Sequence, residues 1–436
     1  MVNETTTTNK VVLVLVEPEE AREAEANARE MRLLVESAGG LVVDEMRVRR
    51  DRPDPRFLIG KGQAEEVFLI VQDSNADLVV MSEDLTPTQQ RNLEEVTGVR
   101  VVDRTQLILD IFAQRARTSE GKLQVELAQL QYLLPRLTGK GTELSRIGGG
   151  SAGGIATRGP GETKLEMDRR RVRRRIATVK RELEEVVQRR ATQKRSRREL
   201  MIPTGALVGY TSAGKSTLLN LLAGSDVEAH PRLFATLDPT TRRITLEQGQ
   251  SVLLTDTVGF LRNLPHHLIA AFRATLEEVT EADFLIHVVD ASHEFFERQR
   301  EAVAEVLREL GADDKPTITV FNKCDLITNQ YELRRLVAQT PDSCYISALT
   351  GEGKEHLLKL IGQVLGRMSR QVNALIPYSR GDILALCHKC GRVLQLEYTP
   401  EGIFVRAEVP PELEPKLAEF EQTLRPDTEV GLSSAR

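Results

Sequence analysis

The chain has 436 residues, enough for two to four domains. Its 40% hydrophobic and 28% charged residues are those of an ordinary soluble globular protein, and a net charge of −5 excludes a molecule that is basic throughout. Four cysteines, Cys324, Cys344, Cys387 and Cys390, form no disulfide-framework pattern and fit a reducing, cytoplasmic setting.

The opening MVNETTTTNK is polar and does not read as a signal peptide. Residues 10–118 alternate short β-branched runs with helical patterns. The runs are VVLVLV (11–16), LVVDEM (41–46), DLVVM (77–81) and VRVVD (99–103). This rhythm predicts an open parallel α/β domain over 1–118. The first run is far too short to span a bilayer.

From 119 to 200 the pattern becomes helical. Leu123, Leu127, Leu130, Leu134 and Leu137 form one seam, with Pro135 ending or kinking it. Leu165, Val172, Ile176, Val179, Leu183 and Val186 form another. Two seams joined by one loop predict an antiparallel helical hairpin. The Gly-rich loop 139–162 is expected to be mobile. Residues 140–198 hold 18 Lys and Arg against 7 Asp and Glu, a local net of +11, so the rest sums to −16. Such asymmetry predicts binding to RNA phosphates through counterion release. Few aromatics accompany the charge, which favours the backbone of folded RNA over stacked single strands. A solvated helix face is the plainer reading. Weak membrane association is a third, disfavoured because the apolar seam is narrow and lacks Trp and Phe.

Residues 201–368 return to strand–helix alternation. Gly209, Tyr210, Thr211, Ser212, Ala213, Gly214, Lys215 and Ser216 match GxxxxGK[ST] between an apolar strand and a helical pattern, the context of a phosphate-binding loop. Backbone N–H groups and the following helix, from Thr217 on, would meet phosphate, with Lys215 on the β- and γ-phosphates and Ser216 on Mg²⁺. Asp256, Thr257, Val258 and Gly259 give DxxG at a strand end, where the carboxylate can hold Mg²⁺ directly or through water. Asn322, Lys323, Cys324 and Asp325 (NKCD) follow another strand; Asn322 and Asp325 would read a purine, and the Asp carboxylate selects guanine. Ser347, Ala348 and Leu349 would bring the Ala348 N–H to guanine O6. GTP is therefore the predicted substrate. Thr236, within Phe234–Asp238, is the candidate to close on Mg²⁺ and the γ-phosphate, with Thr240 and Thr241 as rivals. Metal ligands are thus Ser216, Thr236 and Asp256. Phe260 stands where many such enzymes carry a water-orienting Gln, so the catalytic group is unassigned; Arg262 is a minor candidate.

Residues 369–436 predict a small α+β module, with a hairpin in YTPEGIF (398–404) turning at Pro400–Gly402. CHKC (387–390) lacks the second pair a structural zinc site needs and reads as chance placement on a helix.

GYTSAGKSTLLN, LFATLDPTTR, DTVGFLRNLPHHLIAAFRATLEE and NKCD resemble the HflX family of translation-associated GTPases. FLIGKGQ, DRTQLILDIFAQRARTSEGKLQVELAQLQYLLPRL and GGGSAGGIATRGPGETKLEMDRRR are similar to its N-terminal domain and hairpin. The resemblance covers nearly the whole chain, more loosely at its end. It implies binding to the large ribosomal subunit, splitting of stalled or idle ribosomes, and hydrolysis stimulated by the ribosome. It implies that Phe234, Ala235, Thr236, Leu237 and Asp238 form the first switch, and Asp256–Gly259 the second. It also implies that the Gly-rich tip approaches the peptidyl transferase centre. The alternative is a GTP-controlled RNA-binding or assembly factor without splitting activity. Where the family commonly has Asn in the phosphate loop, an aid to potassium binding in related GTPases, this chain has Ser212. ATP use has been linked to the family's N-terminal domain, but residues 1–150 hold no GxxxxGK[ST] and FLIGKGQ is too short to claim. A monomer is expected.

Overall fold

The computed structural model describes residues 9–17, 21–49, 52–137, 160–199, 202–224, 234, 238–246, 249–261, 273–411 and 413–420. The chain divides into two compact units, 1–189 with 229–239 and 258–277, and 190–228 with 240–257 and 278–436.

In the first unit, four β-branched runs become β1 (Lys10–Glu17), β2 (Leu41–Arg49), β3 (Leu78–Met81) and β4 (Arg100–Val102). They pair in parallel in the order β2-β1-β3-β4. Val11 to Leu15 are at most 1% exposed, as expected of a parallel strand covered on both faces. Each such side chain contributes roughly 1.5–3 kcal/mol through burial.

Helices α1 (Ala21–Ser37), α2 (Lys61–Ser74), α3 (Pro87–Thr97) and α4 (Arg104–Arg115) connect and follow the strands. Thr86 and Gln89 form a reciprocal capping box at the start of α3. Asp103 caps α4 through the Gln106 N–H at 2.8 Å. The other oxygen of Asp103 accepts from Leu85 N–H at 3.2 Å and Arg136 at 2.8 Å. Burial pushes the Asp103 carboxyl above its usual range, opposed by those donors.

Helix α5 (Ser119–Arg136) ends one residue after Pro135, capped by Thr118. Its buried face differs from the leucine seam. Gly121, Gln124, Val125, Ala128 and Tyr132 are buried with Leu127, whereas Leu123, Leu130, Leu134 and Leu137 are only half-buried. Small residues permit closer helix packing than leucines do, so the spacing pointed to a neighbouring stripe.

Helix α6 (Pro160–Glu199) runs 40 residues and begins inside the segment read as loop; residues 138–159, most of that loop, lie outside the described residues. Along α6, Val179 is fully buried and Val172, Ile176, Leu183 and Val186 are half-buried, so the second seam is present from Val172 on; the side chain of Leu165 lies outside the described residues. Arg175 reaches Glu126 of α5 with two hydrogen bonds, at 2.5 and 2.7 Å.

The second unit holds a six-stranded sheet in the order β10-β9-β8-β5-β7-β6. Its strands are β5 (Thr204–Gly209), β6 (Thr240–Thr245), β7 (Ser251–Asp256), β8 (Phe284–Asp290), β9 (Thr317–Asn322) and β10 (Ser343–Tyr345). All pairs are parallel except β6–β7. Helices α7 (Lys215–Ala223), α8 (Arg273–Glu281), α9 (Phe296–Glu309), α10 (Gln330–Gln339) and α11 (Lys354–Met368) alternate with these strands. Leu207, Leu218, Ile286, Ile318 and Ile361 lie in the main core of this sheet.

The last module follows the predicted order. It comprises β11 (Arg370–Ile376), α12 (Gly381–Cys390), β12 (Arg392–Thr399), β13 (Gly402–Val409) and α13 (Glu414–Leu417), with the sheet order β11-β13-β12. Thr399 pairs with Gly402, closing the predicted hairpin. Cys387 and Cys390 sit on α12 and are both buried, Cys387 within the apolar core of the module. Among the described residues no helix is long and apolar enough to cross a membrane.

Candidate nucleotide site

Strand β5 has β7 on one side and β8 on the other, so the sheet's order reverses around it. Ligands of open parallel sheets bind beyond the carboxyl end of such a strand. The phosphate loop begins there, at Gly209.

Gly214 ends the loop in a left-handed conformation, φ 94°. A Cβ on it would collide with the Asn322 amide nitrogen. Only glycine fits both constraints. The first helical bond of α7 runs from Leu218 N–H to Gly214 C=O at 2.9 Å, and no side chain caps the helix. The N–H groups of its first turn thus have no partner within the helix, which suits an anion.

Lys215 is fully enclosed and donates to the carbonyls of Gly209 at 3.0 Å and Tyr210 at 2.9 Å. Burial lowers its ammonium to about 8, with Asp256 opposing the shift. The Ser216 hydroxyl donates to Asp256 Oδ2 at 2.6 Å. Asp256, at the end of β7, is 2% exposed. Two hard oxygen donors in contact at a buried position fit a Mg²⁺ ion. The Thr257 hydroxyl donates to the Leu207 carbonyl at 2.6 Å and braces β7 against β5. Thr211 is buried, its hydroxyl without a hydrogen bond among the described residues, and Ala213 is buried too.

Asn322 does not stand free to read a base. Its Nδ2 donates to the Ala213 carbonyl at 2.8 Å, and its Oδ1 accepts from Ala348 N–H at 2.9 Å. One side chain therefore joins the phosphate loop to the SAL loop. The Ala348 N–H is likewise engaged. Lys323, at φ 63°, pairs with Asp290 at 2.6 Å. Cys324 is buried beneath the loop, its N–H donating to the Ile346 carbonyl at 3.2 Å. Asp325 is exposed and is the carboxylate of this motif open to a ligand. Ser347 is fully buried and accepts from Thr350 N–H at 3.2 Å, whereas Leu349 is 81% exposed.

Ala235, Thr236 and Leu237 lie outside the described residues, as does Arg262. Phe234 is 3% exposed and meets Phe112 edge-on at 4.5 Å between ring centroids. Asp238 binds the start of α5 rather than the sheet. Its Oδ2 accepts from Arg117 N–H at 2.9 Å and Thr118 N–H at 3.0 Å, and its Oδ1 from the Thr118 hydroxyl. The rival threonines are strand residues: Thr240 pairs with Asp256, and the Thr241 hydroxyl contacts Thr255 at 2.9 Å. A ladder position does not suit a closing switch. Val258, Gly259 and Phe260 are buried, Phe260 to 2%. Ser212, Phe234 and Lys323 are three of the six described non-glycine residues with positive φ. Such strained backbone clusters at functional sites.

Residues 204–323 match the family model described as 50S ribosome-binding GTPase. Residues 25–113 match GTP-binding GTPase N-terminal, and 115–197 match GTP-binding GTPase Middle Region. The chain is 46% identical over 410 residues to GTPase HflX of Lacrimispora saccharolytica, covering 94% of this chain and 96% of that protein. It is 44% identical over 410 residues to GTPase HflX of Caldanaerobacter subterraneus subsp. tengcongensis, covering 94% and 92%. With GTPase HflX of Escherichia coli it shares 44% identity over 354 residues, covering 81% and 82%.

Proposed function

The chain belongs to the HflX family of GTPases, and from that premise we propose that it binds the large ribosomal subunit and uses GTP to dissociate stalled or idle ribosomes. The observation that carries this reading is the coincidence of two parts in one chain. One is a GTPase domain of the 50S ribosome-binding kind. The other is α6, which carries exposed Arg170, Arg171, Arg173 and Arg174 within a segment of net +11. Arginines so placed suit the phosphates of folded RNA.

In this reading the loop Gly209–Ser216 and the first turn of α7 hold the phosphates, with Lys215 at the β- and γ-positions. Ser216, Asp256 and Thr236 would hold Mg²⁺, whose charge would offset that of the phosphate oxygens. Asp325 recognises guanine, and Asn322 keeps the phosphate loop and the SAL loop in register. Lys323 lies along the base plane, its head held by Asp290. Phe260 cannot orient water by hydrogen bonding, so the ribosome supplies the missing group. A group supplied in trans, as by an arginine finger, accelerates phosphoryl transfer by roughly 10³ to 10⁵.

Two measurements test the proposal. Steady-state GTP hydrolysis should rise steeply when purified large subunits are added. Intact ribosomes mixed with the protein and a non-hydrolysable GTP analogue should lose their joined peak on a sucrose gradient. Co-migration with that peak preserved would instead favour an RNA-binding or assembly factor. Absence of both stimulation and binding would sink the ribosomal reading.

A further inference from the structure

Lys323 has a constrained backbone and a fixed head. Its φ of 63° is a left-handed value that lysine adopts rarely. Bonds on both sides hold the chain there. The carbonyl of Asn322, before it, accepts from Ala291 N–H at 3.1 Å, and the N–H of Cys324, after it, donates to the Ile346 carbonyl at 3.2 Å. The Lys323 carbonyl itself accepts from Leu326 N–H at 3.0 Å. In the sheet, Asn322 at the end of β9 stands beside Asp290 at the end of β8. The Lys323 ammonium donates to Asp290 Oδ2 at 2.6 Å. Its four-carbon stem therefore runs from the end of one strand to the end of the next, across the carboxyl edge where open parallel sheets bind ligands. Asp290 is held in turn. Its Oδ1 accepts from the Ser292 hydroxyl at 2.6 Å and the Ser292 N–H at 3.1 Å. One carboxylate oxygen thus faces the loop and the other faces the lysine. The Asp290 side chain is 14% exposed and that of Lys323 32%, so water competes for this pair less than for an open surface pair.

We infer that Asp290 and Ser292 are positioning residues for the guanine base: they hold the Lys323 stem as a ready apolar shelf and so set how tightly the nucleotide binds. This rests on the guanine reading proposed above and adds residues that lie outside the NKCD motif. The physical reason is rotamer entropy. A lysine free to sample its rotamers must be ordered when a base stacks on it, and that ordering weakens binding by about three- to tenfold. A lysine whose head is already held escapes most of this loss. The stem offers the base edge no donor and no acceptor. The shelf therefore strengthens binding of any purine laid on it, while the Asp325 carboxylate selects guanine.

Variants of the full chain test this. Asp290→Asn keeps the shape and weakens the hold on Lys323. Dissociation constants for GDP and for a non-hydrolysable GTP analogue should both rise about three- to tenfold. The factor should be the same for both, because they share the base. Steady-state KM for GTP should rise while kcat holds, the pattern of lost uniform binding. Ser292→Ala should act in the same direction to a smaller degree. Ser292 is exposed, so this variant tests the hold even if Asp290→Asn fails to fold. Lys323→Met keeps a stem of similar length without the charge. In that background Asp290→Asn should add nothing, a result that a merely structural role would not produce. Inosine diphosphate, whose base lacks the 2-amino group, separates the shelf from the edge reader. Asp290→Asn should leave the preference for GDP over inosine diphosphate unchanged. Wild-type affinity in both Asp290→Asn and Ser292→Ala, additive losses with Lys323→Met, or an altered preference would each overturn the inference. If instead Asp325→Ala kept the wild-type preference, the guanine reading itself would fail.

Discussion

The two parallel sheets share a topological plan and differ in what they do with it. Each reverses its strand order around its first strand, β1 in one and β5 in the other. Each therefore has a crevice at that strand's carboxyl end. From the last residue of β5 the sequence reads GYTSAGKST; from the last residue of β1 it reads EPEEA. Glycines and a lysine would let the crevice after β5 cradle a phosphate, while glutamates would repel the same anion. Two buried aspartates repeat the lesson. Asp103 follows β4 and is enclosed by backbone N–H groups and Arg136. Asp256 ends β7 and accepts from the Ser216 hydroxyl, which a cation can replace. Fold supplies the position, and the neighbours decide whether a carboxylate is locked as a strut or left where it could serve as a ligand.

The sharpest way to break this comparison is one substitution made at both positions. Asp256→Asn should lower Mg²⁺-dependent GTP binding by at least about a hundredfold, the scale of a disturbed metal shell, with little loss of fold. Asp103→Asn should do the reverse. It leaves the largely buried Arg136 without its countercharge, which costs about 3 kcal/mol, seen as a lower denaturation midpoint. Nucleotide affinity of the folded protein should stay unchanged. If Asp103→Asn weakened GTP binding at full stability, the first sheet would have to be counted as part of the site.

A smaller effect separates the crevices by pH. Lys215 titrates at about 8 when enclosed, below its ordinary 10.5. Its burial cost is present in full below pH 8 and fades as the pH rises toward 10.5, because only the unfolded chain keeps the proton there. Bound phosphates favour the charged form, so nucleotide binding above pH 8 takes up a proton. Affinity measured by calorimetry should fall with rising pH, by up to about tenfold per unit, and proton uptake should be seen as buffer-dependent heat. A flat profile to pH 10 would contradict the enclosed lysine.

The smallest effect concerns Ser212, which is exposed at φ 61°. Asn adopts that conformation more readily than Ser, so Ser212→Asn should fold normally. Wild-type hydrolysis should be equal in sodium and potassium. The variant should gain a few-fold preference for potassium if the Asn of related phosphate loops acts through the ion.

What the sequence made legible is contiguous. The phosphate loop, DxxG, NKCD and the four β-branched runs each carry their meaning within ten residues. So does the terminal hairpin, whose turn is Pro400–Glu401, with Gly402 opening β13 opposite Thr399. What it hid depends on residues far apart in the chain. Asn322 also has a partner that NKCD does not reveal: it spans 109 residues to Ala213. Asp238 finds Thr118 across 120 residues, and nothing in RLFATLDPTT announces that bond. The leucine seam of α5 misled for a related reason. Periodicity shows that a helix has an apolar face, but the buried stripe of α5 runs through Gly121, Val125 and Ala128.

The four cysteines have a use that none of their neighbours suggests. All are buried thiols, and burial raises Cys324 and Cys387 to about 11 and Cys344 to about 12. Thiolate, the reactive form, is scarce at neutral pH, and a reagent has no path to it through closed packing. Labelling would proceed only as often as the structure opens. Cys344 lies in the core of the six-stranded sheet and Cys387 in that of the terminal module. The chain thus carries a built-in clock for each, able to time their breathing with and without nucleotide.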